Sequence, residues 1–354
     1  MRAILLTIPL KGTVNIGGWE LPLFGPGLVL AVWLLLGLIV FGLQFRSEGG
    51  KALSSANFFT WLIACGLIFL APALGNEIPI YGYGTMLFVG FFTATAWASW
   101  RLKQQGADPE LAWDVATWIF IGGIVGARLF FVTQYHERVF QNDTHLGQML
   151  FSMIRLWDGG LVFYGGMILG AVAYGLFCYV RRVHPLALAD VLISSVLLGM
   201  AFGRIGCLLY GCCYGDQCEL PWAITFPAGS IPFVAEVQQG FLEVDASRSL
   251  PLHPTQIYSS LSAGLLALLT WAFYPYRRWN GEVLALGWML YPITRFLVEF
   301  LRGDEPGQLG TSLTISQLIS IGLIASGVLF YLWIRRGSAR TPIAITAPPV
   351  TAAG

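Results

Sequence analysis

Apolar residues run through this chain in long blocks and do not alternate with polar ones. Nine blocks come close to the roughly 20 residues an α-helix needs to cross a bilayer core. They cover residues 25–45, 58–75, 83–100, 113–135, 161–180, 185–203, 256–275, 282–301 and 315–334. The pattern predicts an all-α polytopic membrane protein of about nine transmembrane helices. The second and third blocks are short and the sixth is amphipathic, so eight is the alternative count. The longest connection, 204–255, predicts a small extracytoplasmic head. Residues 1–20 hold only a brief apolar stretch, Ala3 to Leu10, behind Arg2. It lacks a clear small-residue cleavage site, so no cleaved signal peptide is expected. The tail TPIAITAPPVTAAG after Arg340 is small and Pro-rich, which predicts a disordered cytoplasmic segment.

Lys and Arg in the loops give an orientation. Arg46 and Lys51, Arg101 and Lys103, Arg181 and Arg182, Arg277 and Arg278, then Arg335, Arg336 and Arg340 follow the odd-numbered blocks. The even connections are less basic and mix Arg138, Arg155, Arg248 and Arg302 with acids. This alternation places the N-terminus outside and the C-terminus in the cytoplasm. A weak internal repeat relates Leu21–Gly27 (LPLFGPG) to Ile78–Gly84 (IPIYGYG). A common entry turn before a helix accounts for it better than an ancient duplication does.

Composition agrees with the pattern. Of 354 residues, 56% are hydrophobic and 11% charged, with a mean hydropathy of +0.68. Soluble domains carry about 25% charged residues. A net charge of +1 offers no footprint for nucleic acid. Six cysteines are too few for a disulfide scaffold.

Three arginines lie within or against apolar blocks: Arg128, Arg204 and Arg295, with Glu299 four residues after Arg295 and Arg302 on the same face. Ionisable groups at membrane depth are functional candidates by default. A structural Arg295–Glu299 pair is an equal reading of that i,i+4 spacing. Under the orientation above, these groups meet Tyr83, Trp157, Asp158, Tyr164, His253, Gln256 and Tyr258 in the outer half of the bilayer. The inner halves are expected to lack polar groups. A transport path would place polar groups at the midplane and towards both faces. A one-sided arginine cluster suits a phosphate, because the guanidinium fork binds it bidentately and keeps its charge.

Four stretches are too unusual for a generic helix: WDGGLVFYGG at 157–166, GRIGCLLYGCCYG at 203–215, HPTQIY at 253–258 and RFLVEFLRGD at 295–304. Their order and spacing resemble those of the prolipoprotein diacylglyceryl transferase family. Tyr83-Gly-Thr-Met86 is similar to that family's N-terminal tyrosine motif, and Gly126-Ala-Arg128 resembles another of its features. The likeness covers roughly residues 78–335. It implies a seven-helix core over 78–336, an N-terminal transmembrane addition over 1–77 and a tail over 337–354.

The resemblance also implies an activity. The diacylglyceryl group of phosphatidylglycerol would pass to the lipobox cysteine thiol of a prolipoprotein signal peptide, with glycerol phosphate released. The site would face outward from a bacterial inner membrane. By motif position, Arg204 and Arg295 match the family's essential arginines and would hold the lipid phosphate and leaving group. Glu299 would orient Arg295, and Arg302 would assist. Tyr83, Gly215, Asp158 and Arg128 fall on or near motif positions expected around the substrate. Family members carry a histidine, proposed as base, where this chain has Tyr164. That leaves His253, Tyr164 or no dedicated base. Where members carry Asn, this chain has Cys207. No cofactor is called for. Cys207, Cys212, Cys213 and Cys218 are read as disulfides or free thiols ahead of a metal site, since the spacing is not a standard C-x2-C pair. A lipid or anion transporter is the alternative function, and a noncatalytic lipid scaffold a weaker one.

Overall fold

The computed structural model describes residues 4–16, 19–48, 55–140, 146–155, 159–302 and 312–337. The tail beyond 337 and Asp158 lie outside the described residues. The chain divides into two compact units, Arg2–Thr85 and the rest from Met86.

The first unit holds four short strands and two helices. β1 (Ile4–Pro9), β2 (Thr13–Ile16) and β3 (Trp19–Pro22) precede α1 (Leu28–Glu48) and α2 (Ser55–Leu74), and β4 (Glu77–Tyr81) follows. β1 pairs antiparallel with β4, setting Ile8 opposite Ile78, and β2 pairs with β3. Block length alone does not reveal these strands. They span four to six residues, and β1 finds its partner some 70 residues away. Both copies of the internal repeat fall where a strand runs into a helix, β3 into α1 and β4 into α3 (Gly82–Gln104).

The second unit contains the remainder of α3, then α4 (Glu110–Gln134), α5 (His136–Val139), α6 (Leu146–Ile154), α7 (Phe163–Arg181), α8 (Pro185–Tyr210), α9 (Ile231–Gln238), α10 (Thr255–Phe273), α11 (Glu282–Glu299) and α12 (Ile315–Ile334). Among the described residues, nine helices of 18 or more residues coincide with the nine apolar blocks. Five of them, α4, α7, α8, α10 with its following turn, and α12, are long and apolar enough to cross a membrane. The 211–254 segment folds into a small head around α9, with Phe226 and Leu252 fully buried. Its strandlike bridges join Ile224 to Leu252 and Pro227 to Arg248.

α8 packs against both α10 and α11, α4 against α7, and α11 against α12. One end of the bundle closes on Leu102, Val115, Phe177, Leu188, Val191, Tyr274 and Val283. Beside this core Asp190, 1% exposed, accepts the N–H groups of Gly281 (2.8 Å) and Leu284 (2.9 Å) and lies 3.6 Å from Arg277. It therefore caps the start of α11 and neutralises a buried cation in one step. Asp190 corrects the expectation that this half of the bundle lacks polar groups. Arg277 and Arg101 in turn lie over the ring of Tyr274, at 3.6 and 4.6 Å.

The glycines of WDGGLVFYGG divide into two uses. Gly159 and Gly160 take positive φ angles of 78° and 81° in an irregular segment. Gly165 lets α7 touch α4: a Cβ there would stand 2.3 Å from the Gly126 carbonyl oxygen, and one on Gly126 would stand 2.2 Å from that of Gly165. This is the close backbone approach small residues permit between helices. Gly175, on the same helix, has open space at its Cβ. Gly165→Ala should therefore lower the melting temperature of the purified protein in detergent. Gly175→Ala should leave it unchanged or raise it, by the smaller entropy cost of alanine. Equal melting temperatures for the two variants would contradict the crossing.

Candidate functional site

The site is built by the end of α8 and the turn that follows. Gly211, at φ 87°, closes the helix by donating its N–H to the Cys207 carbonyl at 2.8 Å, and Cys212 N–H reaches the same oxygen at 3.1 Å. Cys213 then adopts φ 58°, unusual for a non-glycine residue. The reversal folds Cys212 and Cys213 back over Cys207, so that the three sulfurs lie within 4.8 Å of one another. Neighbouring elements hold the turn. Thr255 Oγ1 donates to the Cys213 carbonyl at 2.7 Å and Gln256 Nε2 to the Cys212 carbonyl at 2.8 Å. Gly215 N–H donates to His253 O, His253 N–H to Asp216 O and Asp216 N–H to Leu301 O, at 3.0, 2.9 and 2.8 Å. A Cβ on Gly215 would come within 2.7 Å of the His253 and Leu301 carbonyl oxygens. Only glycine fits where three chain segments meet.

Arg204 precedes Cys207 by three residues and so shares its face of α8. Its guanidinium interacts with the Tyr291 hydroxyl on α11 and with the thiols of Cys207 and Cys213. Arg295 stands one turn beyond Tyr291. It pairs with Glu299 and donates to Ser316 Oγ at 3.0 Å. The Glu299 side chain is 0% exposed; it accepts from Thr314 Oγ1 at 2.9 Å and lies 3.6 Å from Arg302. Thr314 is the N-cap of α12 in a capping box with Gln317. One buried carboxylate thus meets two arginines, Arg295 and Arg302. Hydrogen bonds from Cys207 and Cys212, aided by Arg302 and Arg204, hold the Cys213 thiol far below the usual thiol range against the opposing effect of burial. Cys212, one of the two donors, is pushed up by its contacts with Cys207 and Cys213 and by burial.

The other sequence-derived candidates have their own surroundings. Arg128 is 8% exposed and donates to four backbone carbonyls: Met153 (2.9 Å), Ser152 (2.8 Å), Gly159 (2.7 Å) and Gly160 (3.1 Å). Two of these are orphan carbonyls at the end of α6. Arg128 thus fastens α6 and the Gly159–Gly160 segment to α4. Tyr164, the second residue of α7, is 53% exposed and contacts Phe163. His253 packs its ring at 6.2 Å from Tyr258, and its Nδ1 is buried without a hydrogen-bond partner. Tyr83 opens α3 in the first unit and is 40% exposed. Sequence reasoning passed over Tyr291, Thr314 and Ser316. The Thr314-x-x-Gln317 capping box was the available signal for one of them.

The model of the family described as prolipoprotein diacylglyceryl transferase matches residues 70–333. The chain belongs to this family. A phosphatidylglycerol–prolipoprotein diacylglyceryl transferase of Rhodopirellula baltica is 29% identical, the alignment covering 94% of this chain and 89% of that protein. Similarly named enzymes of Clostridium tetani and Clostridium perfringens are each 33% identical over 72% of this chain, covering 93% and 91% of theirs. The Rhodopirellula alignment leaves out too few residues to omit the whole N-terminal unit. The alignment therefore extends into that unit.

Glu299→Gln would leave Arg295 and Arg302 buried around a neutral amide. Breaking a buried charge pair from one side costs about 3–5 kcal/mol. The variant should show a clearly lower midpoint in thermal or denaturant unfolding of the purified protein; an unchanged midpoint would mean that the carboxylate does not hold the two cations.

Proposed function

We propose that this membrane protein transfers the diacylglyceryl group of phosphatidylglycerol to the lipobox cysteine thiol of prolipoproteins, forming a thioether and releasing glycerol phosphate. The observation that carries the reading is the arginine group around Glu299. Among the described residues, Arg295 and Arg302 meet at Glu299, and Arg204 meets Tyr291 one turn before Arg295. Guanidinium groups placed in this way suit the phosphodiester of the donor and the charge that grows on it as the carbon–oxygen bond breaks. Arg204 and Arg295 take the phosphate, Glu299 fixes Arg295, and Arg302 adds field. An apolar cavity of about 200 Å³ between α8, α11 and α12 supports the reading. Tyr291, the partner of Arg204, stands in its wall beside Met200 and Trp288, so an acyl chain has apolar space beneath the charged group.

Gly215 closes the site by admitting three backbones at one point. Arg128 acts at one remove, through the Gly159–Gly160 segment, and Asp158 and Tyr83 are assigned to the substrate by their motif positions in the sequence alone. The protein is a multi-pass component of the bacterial inner membrane, with its N-terminus and site outside and its C-terminus in the cytoplasm. The loop charges carry that orientation. Asp190 has both oxygens engaged and Arg277 beside it, so the polar groups at the opposite end serve packing and give no support to a transport path.

The test is direct. Purified protein receives phosphatidylglycerol and a lipobox peptide, and mass spectrometry follows the peptide. A diacylglyceryl mass gain with release of glycerol phosphate is expected, and absence of both would refute the transfer. Arg204→Lys and Arg295→Lys should each lower turnover about 10²–10³-fold, the usual loss for one placed donor at a developing charge. Rate–pH profiles of His253→Ala and Tyr164→Phe decide between side-chain bases: a lost limb identifies the base, and two unaltered profiles exclude both.

A further inference from the structure

The three thiols beside Arg204 have no part in the roles assigned so far. We propose that Cys207, Cys212 and Cys213 form a three-thiolate site for zinc, or another soft divalent ion, whose open fourth position takes the incoming lipobox thiol. The activation half of this proposal rests on the transfer reaction proposed above; the metal site itself does not.

Geometry is the first ground. Three sulfurs no more than 4.8 Å apart share a point within about 2.8 Å of each, and a Zn–S bond is about 2.3 Å. Adjustment by about half an ångström completes the site. The backbone already holds the turn that makes it, through the Gly211 cap and the bonds from Thr255 and Gln256. Among the described residues no fourth Cys, His, Asp or Glu joins the group, Cys218 and His253 included. Three protein ligands with a vacant position are the pattern of a catalytic, not a structural, zinc site. Thiolates also select soft ions over the hard ions that carboxylates hold.

Charge is the second ground. A divalent cation with three thiolates carries −1, and an added substrate thiolate makes it −2. Arg204 and Arg302 lie close enough to interact with Cys213, and Arg204 also with Cys207. They would balance the loaded site while Arg204 and Arg295 face the lipid phosphate. The site would then accept the lipobox sulfur next to the bond it must attack. A coordinated thiol loses its proton outright, here to water, so no side-chain base is needed. The sulfur forms the C–S bond to the glyceryl carbon as the C–O bond to phosphate breaks. The bonding pair leaves on the phosphate oxygen as glycerol phosphate.

The full-length protein, purified reduced and stripped of metal, is titrated with Zn²⁺ and in parallel with Co²⁺. About one zinc per chain is expected by elemental analysis, with a thiolate-to-cobalt charge-transfer band for the cobalt form. Cys207→Ser, Cys212→Ser and Cys213→Ser should each lose the band, whereas Cys65→Ser and Cys178→Ser should keep it. A reduced protein that takes up neither ion, including one whose mass shows the thiols joined as a disulfide before reduction, overturns the site. Chelation should lower turnover by about 10²–10⁴-fold, the share proton handling supplies, and zinc should restore it. Full activity in the metal-free protein overturns the activating role even where metal binds. A zinc-loaded protein that shows the cobalt band in parallel, yet transfers nothing to the peptide, supports the metal site and refutes the transfer reaction instead.

Discussion

The buried carboxylate of Glu299 decides what the cations around it can do. An arginine taken out of water without a partner costs several kcal/mol, so each one in this bundle is answered by something local. Glu299 answers two at once, Arg295 and Arg302, and is itself anchored by the Thr314 hydroxyl at the start of α12. The pairing fixes α11 against α12. Stability and the proposed phosphate site share one arrangement.

The opposite end of α8 shows what full compensation looks like. Asp190 and Arg204 are 14 residues apart on that helix, about 21 Å along its axis. At Asp190 each carboxylate oxygen has a backbone donor, Arg277 lies alongside, and the aromatic face of Tyr274 covers Arg277 and Arg101. Nothing there is left for a ligand carboxylate or phosphate to neutralise at Asp190 itself. Arg128 is a third solution, spent on four carbonyls. The same residue type is thus core staple, helix cap or anion ligand according to what its neighbours offer.

This explains how far the sequence could be read. The nine helices were legible because their apolar runs are as long as the helices themselves. The strands were not, since β1 to β4 are short and β1 pairs across two helices. Arg204, Arg295, Glu299 and Arg302 were legible because charge is scarce in such segments. The partners they meet on other helices were not. The spacing that marks Arg295–Glu299 as a pair says nothing of Thr314 or Tyr291, which arrive from other helices. Arg128 looked like a lipid contact for the same reason Arg204 did; only the position of the α6 carbonyls separates them. Asp190 escaped notice because it sits six residues inside an otherwise apolar block, and its partners come from the α10–α11 connection.

The cysteines carry the same lesson further. In sequence, Cys207 and the Cys212–Cys213 pair are separated by four residues that match no standard ligand spacing. A helix ending between them changes this, because the Gly211 cap turns the chain back on its own last turn and Cys213 completes the reversal at positive φ. Ligand spacing rules assume a fixed local structure between the ligands, a loop or an unbroken helix. Here the spacing straddles both, and the sulfurs meet all the same. Because the turn is held by α10 and the end of α11, the elements that carry the arginines also hold the thiols. Where the sulfurs sit relative to the phosphate-facing cations is therefore a property of the bundle, and it follows from the packing that Glu299 and Gly215 enforce.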